Sequence, residues 1–448
     1  VRRIAGALPL GAALAVLAAY AVLLPAGRWQ GDEYFVAWRI AHDGWRALAD
    51  RLTGSSPRPV AETLTWLYLR LSNALDAPLI GWLLGLLWLG ALIGVVAAGR
   101  AARLQQPAML ALVLFALALL LGKPGEMFYW PMGVMAYVPC WAALAAATVL
   151  HRGDPARHGF ALAVALTVAA FSAEIGAVTV LFYAGLAGIA FARARAWRRL
   201  APSIVPALGA ASVCLIVLRQ RMQPMGEVMD AASGLAGNWP ASLRATIPSF
   251  ARESIAIDGL PLLAGAAIKL LLVLCLPAAQ PAARRDARSA LAWICALLLA
   301  AFASVALAYH QFGTLCCERH ATLRQGMILL ALATLGGLLG GALRVPRNAA
   351  LAGVLLGLLL MRAPALRDDW RLLPDIVAAR RGNWASGQSG GDAMTVRSVA
   401  AGRIVNADAL PAGQYRRSTG LPFGDTPWFA WGVMARFGKH ALTIEPAP

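Results

Sequence analysis

Charge is scarce in this chain, and acid is scarcer than base. Only 14% of its 448 residues are charged, where a soluble domain averages about 25%, and 22 acids stand against 40 bases. With 59% hydrophobic residues and a mean hydropathy of +0.64, too little polar side chain remains to cover a folded body in water. Only a bilayer solvates so much apolar surface. The net charge of +18 does not point to nucleic acid, because the bases lie in short clusters between apolar runs, the pattern of membrane loops. Cysteine is sparse as well. Cys140, Cys214, Cys275 and Cys295 sit inside apolar runs, and Cys316 and Cys317 are neighbours in a loop, so neither a disulfide framework nor a zinc spacing is expected. No glycine-rich phosphate-binding motif occurs, which argues against a nucleotide or organic cofactor. Internal repeats are also missing.

What the chain does have is long apolar runs, near 4–25, 78–99, 107–122, 131–150, 159–171, 175–192, 201–218, 260–279, 290–308, 325–343 and 348–361. They predict an all-α polytopic membrane protein with about eleven transmembrane helices, although several runs fall short of the roughly 20 residues that cross the hydrocarbon. The first run follows Arg2-Arg3 and is longer than a signal-peptide core, so a retained first helix is expected. The block 159–192 is interrupted at Phe171-Ser172-Ala173-Glu174 and reads either as two short helices or as one long helix with a re-entrant piece.

Arginine sets the expected orientation. Alternate short loops carry Arg2 and Arg3, Arg100 and Arg103, Arg152 and Arg157, Arg193 to Arg199, Arg284 to Arg288, and Arg344 and Arg347, with only Asp154 and Asp286 as acids. The positive-inside rule predicts that those loops and the amino end are cytoplasmic and that the carboxyl end lies outside. Loops 26–77, 219–259 and 309–324 and the tail 362–448 then share the outer face with most of the tryptophan, histidine and acid. A domain boundary is expected between a membrane domain, 1–361, and the outer module, 362–448.

The first outer loop opens with Gly31-Asp32-Glu33-Tyr34. Two adjacent acids just past a membrane exit suit a divalent ion, Mg or Mn, or a general base. They equally suit capping, with Asp32 as N-cap of a helix whose dipole favours acids in its first turn. Phe35, Trp38, Trp45, Leu48 and Leu52 recur at helical spacing, which predicts an amphipathic helix on the membrane surface. A second helix from Val60 to Leu71, carrying Glu62, follows a Gly-Ser-Ser-Pro-Arg-Pro turn.

Other polar residues cluster near the outer surface. Tyr129 and Trp130 read as interfacial belt residues or, with Glu126, as a sugar platform where rings take C–H faces and the carboxylate takes hydroxyls. Glu174, at the break in the apolar block, faces a wet cavity or simply an exposed loop. Lys269, inside the eighth run, snorkels or pairs with Glu174 or another acid. Arg319 and Arg324, at the mouth of a span, suit either a lipid-linked phosphate or lipid headgroups. His310 is a candidate for substrate contact beside them; its spacing to His320 does not suggest a metal site. The 219–259 loop, with Met222, Met225, Glu227, Met229 and Asp230, reads as a partly helical lid. In the tail, an amphipathic helix through Leu366, Trp370 and Ile376 ends at Gly387–Gly391, followed by a strand from Thr395, a helix over Trp428–Phe437 and a strand at Ala441–Ile444. A small α/β module docked on the outer loops is expected.

A long first outer loop headed by an acidic pair after the first span resembles membrane glycosyltransferases of the GT-C class. The chain is similar, more narrowly, to an uncharacterised bacterial multi-pass family related to GtrII-type glucosyltransferases. That likeness rests on Gly31-Asp32-Glu33-Tyr34, on Glu126 to Gly133, on Phe171-Ser172-Ala173-Glu174 and on Trp428 to Gly438. Many relatives carry two aspartates where this chain has Asp32-Glu33. The resemblance implies transfer of a sugar from a polyprenyl-phosphate donor to an outer-face glycan, lipid or protein, with Asp32 or Glu33 as base or metal ligand and membrane lipid as the surroundings. A transporter or flippase of a lipid-linked solute and a noncatalytic assembly factor are the competing expectations.

Overall fold

The computed structural model describes residues 2–153, 157–221, 234–276, 287–315, 317–340, 347–399, 402–405, 410–418 and 424–446. The residues of the expected lid from Met222 to Asp230 lie outside these, as does Cys316.

Each of the eleven apolar runs coincides with a helix. Among the described residues, eight helical segments are long and apolar enough to cross a membrane. They are α1 (Arg2–Ala21, whose apolar stretch runs to Ala26), α5 (Ile80–Ala101), α7 (Pro131–Leu150), α9 (Glu174–Arg193), α10 (Ala201–Arg221), α13 (Ala287–Phe312), α14 (Glu318–Leu339) and α15 (Arg347–Gln388). The chain is a mostly helical, multi-pass membrane protein. The other three runs form α6 (Pro107–Leu121), α8 (Gly159–Ser172) and α12 (Leu262–Cys275), of 14 or 15 residues. At 1.5 Å per residue these rise only about 21–23 Å, well short of a hydrocarbon core of about 30 Å.

Position explains composition. In α6 and α7 almost every side chain is buried, with Phe115, Trp141 and Leu114 wholly enclosed, so these helices are apolar all round because protein surrounds them. By contrast, α5 and α10 leave Trp82, Leu86, Val205 and Leu208 exposed, as lipid-facing helices do. The interrupted block resolves into two helices. Ala173 is extended (φ −154°, ψ 150°) between α8 and α9. A Cβ on Gly176 would lie 2.0 Å from the carbonyl oxygen of Ala169, so only glycine permits this turn.

Between α1 and α5 run α2 (Gly31–Asp43), α3 (Trp45–Asp50), a π-helical turn (Arg51–Ser55) and α4 (Pro59–Ala74), with Gly44 at φ +58° breaking α2 from α3. The amphipathic surface helix expected here needs correction. Val36, Ala37 and Ile40 of α2 are buried, and its Phe35–Trp38 face is covered by a tail helix, α16 (Trp428–Phe437). The Trp431 ring lies 4.8 Å from Trp38 and 6.0 Å from Phe35, edge-on to both. The Phe35–Trp38 part of the stripe therefore packs on protein, whereas Trp45 of α3 stays 68% exposed.

The tail adds β1 (Ala393–Arg397), β2 (Gly413–Arg416) and β3 (Ala441–Glu445) in the order β1-β3-β2, with β1 parallel and β2 antiparallel to β3. Met394 and Val396 of β1 and Leu442 and Ile444 of β3 alternate inward against Ala430, Val433 and Met434 of α16. The expected boundary after 361 falls inside α15, which continues unbroken to Gln388 past Pro364 and Pro374. The shift there from apolar to amphipathic sequence marks a change of surroundings rather than a break in the chain. Of the cysteines, Cys140, Cys214, Cys275 and Cys295 are free, whereas Cys317 is disulfide-bonded, a correction to the expectation of plain thiols. It is one of the two cysteines outside the apolar runs.

Candidate functional site

The N-cap of α2 is Gln30, not Asp32, and Glu33 completes a capping box by accepting the backbone N–H of Gln30 at 2.8 Å. The other Glu33 oxygen accepts the Met132 N–H at 3.2 Å, tying the start of α2 to the start of α7. Glu33 is completely buried, and desolvation together with the neighbouring Asp32 charge pushes its carboxyl up to about 7, against the pull of the backbone N–H groups. Of the acidic pair, this one is structural.

Asp32 is different. It projects from the first turn of α2, is half-buried, and makes no hydrogen bond or ion pair among the described residues. Burial raises its carboxyl above the usual range, opposed by the charges of Arg51, Arg319 and Arg58. Gly31 beside it has no room for a side chain, because a Cβ there would lie 2.6 Å from the Trp428 ring. The tail helix thus begins directly over the site.

The three arginines act on Asp32 through their charge, from separate elements. Arg51, in the π-helical turn, forms a two-pronged pair with Glu62 of α4, and Ser56 also donates to that carboxylate. Arg58, just ahead of α4, touches Glu62 at 3.5 Å and Glu174, the first residue of α9, at 3.7 Å. Burial works against the Arg58 charge, but Glu174, Tyr137 and Glu62 outweigh it and hold the guanidinium above its ordinary value. Arg319, in the first turn of α14, binds Glu126 at 2.9 Å and sits 4.9 Å over the Trp130 ring. Glu126 also accepts the backbone N–H of Arg319 at 3.2 Å and so caps α14. From α7, Tyr137 places its hydroxyl 3.4 Å from His320 Nε2.

Asp32, Glu126, Trp130, Glu174 and Arg319 therefore belong to one cluster, built where α6, α8 and α14 meet the first loop. The other sequence candidates do not join it. Tyr129 is buried and donates to the Tyr20 carbonyl at 2.8 Å, so it is core rather than belt or platform. Arg324 is 1% exposed and gives both arms to Glu253 at 2.7 Å, which leaves it no open fork for a phosphate. Among the described residues Lys269 forms no ion pair with an acid; it donates to the carbonyls of Glu253 and Ser254 and to Gln325. His310 stacks on Trp239 at 3.9 Å.

Arg51, Arg58 and Tyr137 were missed by sequence reasoning. Arg58 stood in a turn read only for its glycine and prolines, and Tyr137 in a run read only for hydropathy. A polar residue inside such a run was the available signal.

The residues do not suit a divalent ion. Among the described residues no three His, Cys, Asp or Glu side chains converge, Glu33 spends its oxygens on backbone N–H groups, and the charges around Asp32 are cationic. Two clefts, of about 660 and 510 Å³, open elsewhere, and neither is lined by Asp32. Comparison with protein families, with curated proteins and with solved structures finds no match for this chain.

Proposed function

We propose that this protein is a membrane glycosyltransferase of GT-C type, which moves a sugar from a polyprenyl-phosphate carrier to a glycan, lipid or protein at the outer face of a bacterial inner membrane. The observation that carries the reading is Asp32, a half-buried carboxylate that has no bonded partner among the described residues and lies in the field of the Arg51, Arg319 and Arg58 charges. A base needs an open, somewhat basic carboxylate, and a departing phosphate needs fixed positive charge. In this scheme Asp32 takes the proton of the acceptor hydroxyl. The acceptor oxygen bonds to the anomeric carbon as the bond from that carbon to the phosphate oxygen breaks, and the electron pair leaves with the carrier phosphate.

Arg319 meets that phosphate in this scheme, with Glu126 holding one terminal nitrogen of its five-donor fork. Trp130, under Arg319, and Glu126 suit the sugar. The three short helices α6, α8 and α12 fit a recess in the outer leaflet, where a carrier lipid can deliver its headgroup sideways. The orientation follows from the arginine-rich loops, with the amino end cytoplasmic, and all eleven helices lie within the bilayer. Transport across the membrane would need open charge at depth, whereas Arg324 is paired with Glu253 and Lys269 is held by the carbonyls of Glu253 and Ser254 and by Gln325.

Asp32→Asn tests the scheme. Membranes from cells expressing this variant at wild-type level should lose transfer of radiolabelled sugar from polyprenyl-phosphate donor by about 10²-fold or more. Wild-type transfer by the variant would remove Asp32 as the base.

A further inference from the structure

We propose that the cleft between the facing ends of α1 and α5 and the outer stretch of α15 binds the headgroup of an anionic phospholipid. The cleft, about 660 Å³, is lined by Leu24 and Pro25 after α1, Ile80 and Trp82 in the first turn of α5, and Arg380 and Arg381 of α15. Three observations bring a lipid to it.

Its level is that of the bilayer interface. Below it the outward side chains of α1 and α5, including Leu14, Val22, Leu86 and Leu89, are apolar and exposed, and Trp82, 78% exposed at the rim, is the residue type that marks the boundary between hydrocarbon and water. An acyl chain entering here continues along α1 and α5 without leaving apolar surface.

Its charge is positive and unanswered. Arg380 donates only through Nη1, to the carbonyls of Pro25 and Gly27, each at 2.9 Å. Its Nε and Nη2 make no hydrogen bond among the described residues, and neither it nor the exposed Arg381 has an ion pair there. The carboxylate on the adjoining turn, Asp76, is already engaged by Gln388 at 2.6 Å and Arg436 at 3.3 Å. Two neighbouring guanidiniums with open forks match a phosphodiester, which takes two bonds from each.

Its wall is held in an unfavourable shape. Leu79 in its lining adopts left-handed backbone, φ +42°, which a leucine side chain resists, and Asp76 on the adjoining turn does so at φ +45°. Trp384 donates to the Asp76 carbonyl and Tyr68 to that of Pro78, fixing the turn that opens the cleft. Strain of this kind collects at ligand sites.

The inference rests on the membrane-length helices and not on sugar transfer. Its test uses the full chain purified in a neutral detergent, incubated with phosphatidylglycerol or phosphatidylcholine and measured by native mass spectrometry. Phosphatidylglycerol should be retained about tenfold more than phosphatidylcholine, and Arg381→Gln, which spares the Arg380 tether, should weaken retention about tenfold. Asp32→Asn should retain the lipid like wild type. Equal retention of the two lipids, or unchanged retention in Arg381→Gln, overturns the proposal. Displacement of the lipid by inorganic phosphate at equal concentration would make the site one for a free anion and also overturn it.

Discussion

Arg58 stands between two carboxylates from distant parts of the chain, 3.5 Å from Glu62 and 3.7 Å from Glu174. One contact closes the first loop on itself, and the other fastens that loop to the turn between α8 and α9. Asp32 lies within the field of the same guanidinium.

Glu62 should matter more to stability than to chemistry. Its side chain is 2% exposed, and Arg51, Arg58 and Ser56 all converge on it. Removing one member of a buried ion pair costs about 3–5 kcal/mol. Glu62→Ala should therefore lower the unfolding midpoint of detergent-purified protein by several degrees, and an unchanged midpoint would show that the arginines find other partners.

Arg324 and Glu253 form a buried pair separate from Asp32. Single replacements, Arg324→Met or Glu253→Met, should each destabilise by about 3 kcal/mol, whereas the double replacement should recover most of the loss. Calorimetry of the four proteins decides this. A double variant as unstable as the sum of the singles contradicts the pairing.

Glu33 makes stability depend on pH. Its carboxyl is raised from an ordinary 4.5 to about 7, so between those values the folded chain keeps a proton that the unfolded chain has released. Stability should thus be greatest below pH 4.5 as far as this group is concerned, and should fall as pH rises towards 7, by at most about 1.4 kcal/mol per unit. Glu33→Gln, permanently neutral, should flatten that slope in unfolding scans between pH 5 and 7. A slope identical to wild type would place the titration elsewhere.

Two glycines of α9 should respond oppositely to alanine. A methyl at Gly176 would collide with the Ala169 carbonyl at 2.0 Å, while at Gly188 nothing lies within 4 Å. Gly188→Ala should stabilise by about 0.5–1 kcal/mol through helix propensity. Gly176→Ala should reduce folded yield sharply, measured by size-exclusion recovery.

Much of this architecture was legible in the residues. Apolar runs located every membrane-length helix because hydropathy is a local property, and the tail helix was read over Trp428–Phe437, where it is found. β2 was not foreseen, since Gly413-Gln414-Tyr415-Arg416 alternates too briefly to give a signal without its partner β3. In the site, Asp32, Glu126, Glu174 and Arg319 were anticipated because a charge near an apolar run needs a reason. Their partners Arg51 and Arg58 were not, because pairing across long sequence separation leaves no periodic trace. The separate fates of Asp32 and Glu33 depended on the backbone N–H groups of Gln30 and Met132, which Glu33 alone accepts, and adjacency in sequence could not distinguish them.

The single 42-residue α15 has a mechanical consequence. Its outer half carries Asn383 and Ser386, which bond the backbone of β1, so a tilt of the helix within the bilayer is transmitted along one continuous rod to the edge of the small sheet.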